Sequence, residues 1–148
     1  MSYTNGTTPA EDLKGILVAL ITPFTPDKRQ INVSALHQHV NRLIDAGVHG
    51  LVPGGSTGEF TVLSIPERKQ LVEESVKAAA GRVPVVAGIG DLSTERTCEL
   101  ASHAAQVGAA ATMVVPPFYD ALTVDGLHEY LDEISSASKL PIMYYNSK

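Results

Sequence analysis

The sequence predicts a parallel α/β protein in which short strands alternate with helices. Five runs rich in Val, Ile and Leu lack polar alternation, which is typical of strands buried on both faces. Four amphipathic segments separate these runs. From strand to strand the unit recurs about every 30 residues, the length of one βα step with a crossover helix. Parallel connections place the carboxyl ends of all strands at one edge, where we expect the functional site.

Each element has its own local signal. The predicted strands are GILVALITPF (15–24), GLVPGG (50–55), VPVVAGIG (83–90), ATMVVPPF (111–118) and LPIMYYN (140–146). The first two predicted helices follow the capping residues Asn32 and Ser64, the third begins at about Ser93 and the fourth near Thr123. Glu67 completes a capping box with Ser64. Glycines 47, 81 and 108 mark the ends of the first three helices, and the fourth ends before Pro141.

Composition limits the classes of function. The 148 residues suffice for one domain, and a net charge of −5 argues against a nucleic-acid partner. A single cysteine, Cys98, excludes an internal disulfide and favours a reducing compartment. No apolar run approaches the roughly 20 residues of a membrane helix. We therefore expect a cytoplasmic protein with a flexible tail over residues 1–13 and a domain over residues 14–148.

The stretch VPGGSTGEF, residues 52–60, is the most distinctive motif at the predicted site edge. A P-loop needs a lysine after its last glycine, whereas Glu59 occupies that position and repels phosphate. The dinucleotide fingerprint is also incomplete, because Gly88-Ile89-Gly90 supplies only two of its three glycines. Neither pattern favours nucleotide binding.

Three interpretations of this stretch remain. Gly54 to Gly58 satisfies G-x-S-x-G, the nucleophile elbow of serine hydrolases, but the elbow requires a helix beginning at the serine, and here the capping box places it near Ser64. The same residues offer two hydroxyls and backbone N–H groups, which suit a carboxylate. They can also form a glycine-rich turn with no ligand. The five histidines show no metal-ligand spacing, so no metal site is expected.

Five short motifs together resemble one enzyme family. They are GGSTGEF, ITPF on the first strand, GIGD after the third, PPFY after the fourth and YYN at the end of the fifth. All five are similar to motifs of the dihydrodipicolinate synthase and N-acetylneuraminate lyase family. The resemblance extends from about residue 15 to residue 146. The GSTGE form looks closer to the lyase and sugar-acid aldolase branches. The resemblance implies a (β/α)8 TIM barrel of the class I aldolase type, here represented by five strands and four helices.

The same resemblance implies a chemistry and a set of site residues. Pyruvate forms a Schiff base with a lysine and adds to, or is released from, an aldehyde or sugar-acid substrate, without a metal or cofactor. Ser56 and Thr57 match the pair that binds the pyruvate carboxylate, and one of them joins a hydroxyl relay. Tyr145 matches the proton-shuttling tyrosine. Tyr119 matches a tyrosine that crosses a subunit interface in tetramers, so a homo-oligomer is implied.

The family's Schiff-base lysine belongs to a sixth strand, which these 148 residues do not include. We expect this chain alone to be inactive, and a fragment, a truncated reading frame or a non-catalytic interaction partner are all compatible with the sequence. Five parallel strands cannot close a barrel. The sequence predicts that Val18, Leu20, Val86, Val114 and Met143 face the barrel interior and lack partners, which favours aggregation or pairing of two copies.

Overall fold

A computed structural model describes residues 13–27 and 29–146. Five strands and four helices alternate along the chain, as the sequence predicts. They are β1 (Leu17–Ala19), α1 (Val33–Asp45), β2 (Gly50–Val52), α2 (Ile65–Ala79), β3 (Val86–Gly88), α3 (Thr94–Gln106), β4 (Ala111–Val114), α4 (Val124–Ser138) and β5 (Ile142–Tyr144). The strands are shorter than the apolar runs that predict them. Of the predicted tail, only Leu13 lies within the described residues.

All the strand pairs are parallel, and the strands follow one another in chain order. β1 pairs with β2, and β4 lies between β3 and β5. A single bridge between Leu51 and Val85 joins the two groups of strands. This is the arrangement of four consecutive βα units and a fifth strand in a (β/α)8 barrel.

The helices begin at the residues that the sequence predicts. The side chain of Asn32 accepts a hydrogen bond from the Ala35 N–H, and Ser64 and Glu67 form the predicted capping box. Ser93 and Thr123 cap α3 and α4 in the same way. Among the described helices, none combines the length and apolar character needed to cross a bilayer.

The sheet buries side chains on two different faces. On the outer face, Leu20 and Leu51 pack in a cluster with residues of α1 and α2, and Val114 packs with residues of α3 and α4. On the inner face, Val86 forms a smaller cluster with Val52, Ala111 and the partly buried Met143.

This division corrects one prediction. Leu20 and Val114 do not face the barrel interior, because strand alternation directs them towards the helices, where both are fully buried. Val18 lies two residues before Leu20, so its side chain belongs to the same outer face and not to the interior; it is half-buried. Val86 and Met143 do belong to the inner cluster, as predicted.

Candidate functional site

A pocket of about 230 Å³ opens at the carboxyl ends of the strands. Its walls come from the loop after β2, from the ends of β3 and β4, and from the residue after β5. Gly88, Met113 and Tyr145 line it, and strand alternation places all three on the inner face. The position agrees with the site edge that the sequence predicts.

The loop after β2 forms the polar side of the pocket. Gly54 has φ +77°, in the left-handed region that favours glycine. The backbone then enters a 3₁₀ turn, Ser56–Gly58, followed by a second 3₁₀ turn, Phe60–Val62. The α-helix itself, α2, begins only after Ser64, as the capping box predicts, so no helix starts at Ser56 as a nucleophile elbow would require. The left-handed backbone of Glu59, with φ 56°, separates the two turns.

A buried hydrogen bond fixes this loop to the end of β1. The hydroxyl of Thr22 donates to the carbonyl oxygen of Gly58 at 2.7 Å, and Thr22 is buried. A methyl group on Gly58 would lie 3.0 Å from the carbonyl oxygen of Leu20. Only a residue without a side chain lets the loop approach β1 this closely without displacement.

The structure places the two hydroxyl residues of this loop differently. Both residues are exposed, but Ser56 lines the pocket and Thr57 is not among the lining residues. Both belong to the first 3₁₀ turn. The predicted carboxylate-binding pair is thus adjacent in the chain, with Ser56 on the pocket wall.

Tyr145 closes the pocket from the side of β5. Its backbone N–H donates to the carbonyl oxygen of Val114 at 2.8 Å, and its side chain is 56% exposed. Tyr144 lies two residues after Ile142, which packs with the helices. Strand alternation therefore places Tyr144 on the outer face and Tyr145 on the inner face. Tyr144 is 38% exposed, so the helices cover it only in part.

Tyr119 lies outside the pocket. It follows β4 in an irregular segment and is 86% exposed. Its neighbour Phe118 does line the pocket, where its ring meets the ring of Phe60 edge to face at 6.1 Å between centroids. The two rings give the pocket an aromatic wall.

Arg68 lies directly behind this wall, although it is not among the site residues that the sequence predicts. Arg68 is 2% exposed, and its guanidinium lies 5.1 Å from the centroid of the Phe60 ring. It also donates to Asp91 at 3.3 Å and to the carbonyl oxygen of Gly88 at 3.4 Å. In the sequence it looks like one more charge on the amphipathic helix α2. The available signal was Asp91, an acid in a glycine-rich turn beside the site.

The histidines of the described residues lie away from the pocket. His37 pairs with Glu74 at 2.9 Å, His103 contacts the carbonyl oxygen of Lys69 at 3.2 Å, and His49 accepts from the Ile16 N–H at 3.1 Å. None of them lines the pocket beside Ser56. Within residues 13–27 and 29–146, no three His, Cys, Asp or Glu side chains are grouped as metal ligands.

Comparison with known proteins gives consistent results. The model of the dihydrodipicolinate synthetase family matches residues 12–148. The 4-hydroxy-tetrahydrodipicolinate synthase of Methanopyrus kandleri is 43% identical over 134 residues, which is 90% of this chain and 45% of that protein. That of Agrobacterium fabrum is 46% identical over 133 residues, with the same coverage. The chain thus spans less than half the length of these relatives. Both have the synthase name, so they do not support the preference for the lyase branch.

Solved structures show the same fold. A prophage protein of the dihydrodipicolinic acid synthase family from E. coli K12, in complex with pyruvate, superimposes with a TM-score of 0.86 at 35% identity, covering 90% of this chain and 45% of that one. The dihydrodipicolinate synthase of Acinetobacter baumannii, also complexed with pyruvate, gives 0.85 at 34% identity, covering 90% and 46%.

Proposed function

Because this chain belongs to the dihydrodipicolinate synthetase family, we propose that its pocket is the keto-acid-binding side of a carbon–carbon lyase site. The whole protein joins pyruvate to an aldehyde, or releases pyruvate from a sugar acid, through a Schiff base on a lysine outside these 148 residues. The observation that carries the proposal is the pocket itself, with Ser56 and Tyr145 on its walls at the carboxyl edge of a parallel sheet.

The chemistry of the lining suits a small keto acid. Met113, Val115 and the two phenylalanines provide an apolar surface, while Ser56 contributes a hydroxyl. In our proposal the Ser56 hydroxyl donates to the carboxylate, and the Thr57 hydroxyl, which does not line the pocket, turns towards the carboxylate when the keto acid binds. An apolar surround strengthens such hydrogen bonds because it excludes competing water.

Tyr145 is the proposed proton carrier. A phenol is a weak acid, and it passes a proton to a substrate most efficiently along a chain of hydroxyls. Ser56 is on the wall of the same pocket and supplies the next hydroxyl. Imine formation requires protons to reach and leave the substrate's carbonyl oxygen, which is the task we assign to this pair.

The exposure of Tyr119 suits a role in subunit assembly and not in the pocket of its own chain. An aromatic side chain that is 86% exposed beside the pocket mouth suits contact with a second subunit. We propose that the whole protein is a homotetramer in the cytoplasm and that Tyr119 reaches the site of a neighbouring subunit. Neither a metal nor a cofactor takes part in the proposed reaction, and activity of the whole protein should persist in excess chelator.

Ligand-observed NMR tests the keto-acid site on the 148-residue chain. Saturation transfer to pyruvate should be detectable, whereas acetone, which lacks the carboxylate, should give no signal. Ser56→Ala and Tyr145→Phe should weaken pyruvate binding. Ser136→Ala, an exposed position on α4, is the matched control and should not. If wild-type chain and pyruvate show no transfer at millimolar concentrations, the proposal is wrong.

A further inference from the structure

Arg68 is a buried cation with incomplete pairing. Only 2% of the residue is exposed, yet its hydrogen bonds to Asp91 and Gly88 are long, at 3.3 and 3.4 Å, and its Nε has no partner among the described residues. Burial lowers the pKa of this guanidinium, and the neighbouring Asp91 carboxylate only partly opposes that effect. Taking a charge out of water costs several kcal/mol unless it is fully paired. Packing and stability alone do not explain an arginine here.

The contacts of Arg68 are concentrated on the pocket wall. Both the Gly88 carbonyl group and the Phe60 ring belong to residues that line the pocket. Phe60 in turn contacts Phe118, the other ring of the wall. Arg68 on α2 therefore contacts both Phe60, which follows β2, and Gly88, at the end of β3.

Asp91 holds the guanidinium from the far side. It accepts from the Ser93 N–H at 3.0 Å and from Arg96 at 2.7 and 2.8 Å. Burial by itself would raise the pKa of Asp91. The hydrogen bonds from Arg96 and Ser93 and the charges of both arginines outweigh burial and lower it. Asp91 therefore remains an anion at neutral pH and provides a fixed anchor for Arg68.

We propose that Arg68 is a positioning residue, which holds the Phe60–Phe118 wall and the Gly88 carbonyl group in the geometry that admits a keto acid. The proposal relies on the proposed function for the identity of the ligand. Whether Arg68 holds the wall in place can be tested without knowing the ligand. A residue that only stabilises the fold would leave the two rings in place once the variant is folded.

The chain contains three phenylalanines, Phe24, Phe60 and Phe118, so ¹⁹F NMR of fluorophenylalanine-labelled protein gives one signal for each. Arg68→Met should shift or broaden the signals of Phe60 and Phe118. It should leave that of Phe24, which packs in the cluster of α1 and α2, unchanged. Arg68→Lys keeps a cation beside the ring and should restore part of the wild-type spectrum.

Arg82→Met is the matched control, because Arg82 bonds to the carbonyl groups of Ala78 and Ala79 beyond the other end of α2. It should alter neither ring signal. Should Arg68→Met fail to fold, which loss of the folded Phe24 signal would reveal, Asp91→Asn keeps Arg68 but removes the charge that anchors it and should shift the same two signals. Unchanged Phe60 and Phe118 signals in a folded Arg68→Met, or in Asp91→Asn, would overturn the proposal.

A pyruvate titration followed by the same signals completes the test. The apparent dissociation constant should rise about tenfold in Arg68→Met, which corresponds to about 1.4 kcal/mol, and recover partly in Arg68→Lys. A folded Arg68→Met with displaced rings and unchanged affinity would also contradict the proposal. Absence of pyruvate binding in the wild-type chain would count against the proposed function, while the ring signals would still decide whether Arg68 positions the wall.

Discussion

Gly54 and Gly88 are in backbone contact across the strand ends that form the pocket floor. A methyl group on Gly88 would overlap the Gly54 carbonyl group and lie 2.9 Å from the Gly55 nitrogen. A methyl group on Gly54 would lie 3.0 Å from the Gly88 carbonyl oxygen. The loop that presents Ser56 can cross the end of β3 only because neither residue has a side chain.

Gly88→Ala should therefore be strongly destabilising, by more than about 2 kcal/mol, because backbone atoms and not a flexible side chain would have to move. Gly55→Ala is the control in the same loop. Its added methyl would meet only the mobile end of Met113, at 3.3 Å, and should cost less than about 1 kcal/mol. Urea unfolding of both variants measures the difference. Equal costs would show that the backbone contact is not restrictive.

Ser64 caps α2, the helix that holds Arg68. Ser64→Ala removes the side-chain half of the capping box and should lower the free energy of unfolding by about 1 kcal/mol. Ser136→Ala makes the same chemical change at an exposed position inside α4 and should stay within about 0.5 kcal/mol of wild type. Thermal or urea unfolding followed by circular dichroism measures both. A Ser64→Ala variant as stable as Ser136→Ala would contradict the cap's contribution.

Asp91 should make stability depend on pH in the acid range. Its folded pKa is lower than the value of about 3.9 in the unfolded chain. Its contribution is therefore complete above that value and is lost as pH falls through the folded pKa. Asp91→Asn should cost about 2 kcal/mol at pH 7, and the gap to wild type should narrow below about pH 4. Asp132→Asn makes the same chemical change at an exposed position of α4 and should stay within about 0.5 kcal/mol of wild type at pH 7.

The 148-residue chain should form no stable adduct with pyruvate and borohydride, because its described lysines are unsuited to Schiff-base formation. Lys14 precedes β1 and Lys139 precedes β5, at the edge opposite the pocket. The hydrogen bonds that Lys77 donates to Glu73 and Glu74 raise its pKa, and Lys69 pairs with Glu99 at 2.7 Å. A protonated amine is not a nucleophile. Peptide mass mapping should find no modified lysine, and a mass gain on Lys148 would refute the prediction.

Self-association of the isolated chain remains a further prediction. Within the described residues, the outer edges of β1 and β5 pair with no other strand, and unpaired strand edges attract further strands. Fewer apolar side chains are left without partners than the sequence suggested, since Leu20 and Val114 are buried by the helices. Sedimentation velocity should still show species larger than a monomer that increase with concentration. A compact monomer with a cooperative melt would contradict this.

The sequence predicts the fold well because its signals are local. Asn32 and Ser64 cap their helices by hydrogen bonds within three residues, and the apolar runs contain the observed strands. The position of the pocket follows from the parallel topology alone. These features depend on short-range chemistry that the order of residues reports directly.

The sequence fails where the outcome depends on contacts between distant segments. Arg68 and Asp91 are 23 positions apart, and nothing in the helical pattern of α2 distinguishes a buried arginine from a solvated one. The 3₁₀ turn at Ser56 follows the close approach of Gly54 to Gly88, a contact that is visible only after β2 and β3 are aligned. Leu20 was predicted on the inner face and lies on the outer face for a related reason. β1 is too short for the sequence to show which of its alternating side chains face the helices.

The junction between β2 and β3 is held by the bridge between Leu51 and Val85 and by two backbone hydrogen bonds, from the Leu51 N–H to Pro84 and from the Gly88 N–H to Pro53. The Ser56 loop follows β2 on one side of this junction, and Gly88 and Tyr145 belong to the strands on the other side. The pocket therefore takes its walls from both sides of the junction. Arg68 reaches across the same junction from α2 to Gly88 and Asp91. A single buried side chain thus connects the helix that follows β2 to the end of β3.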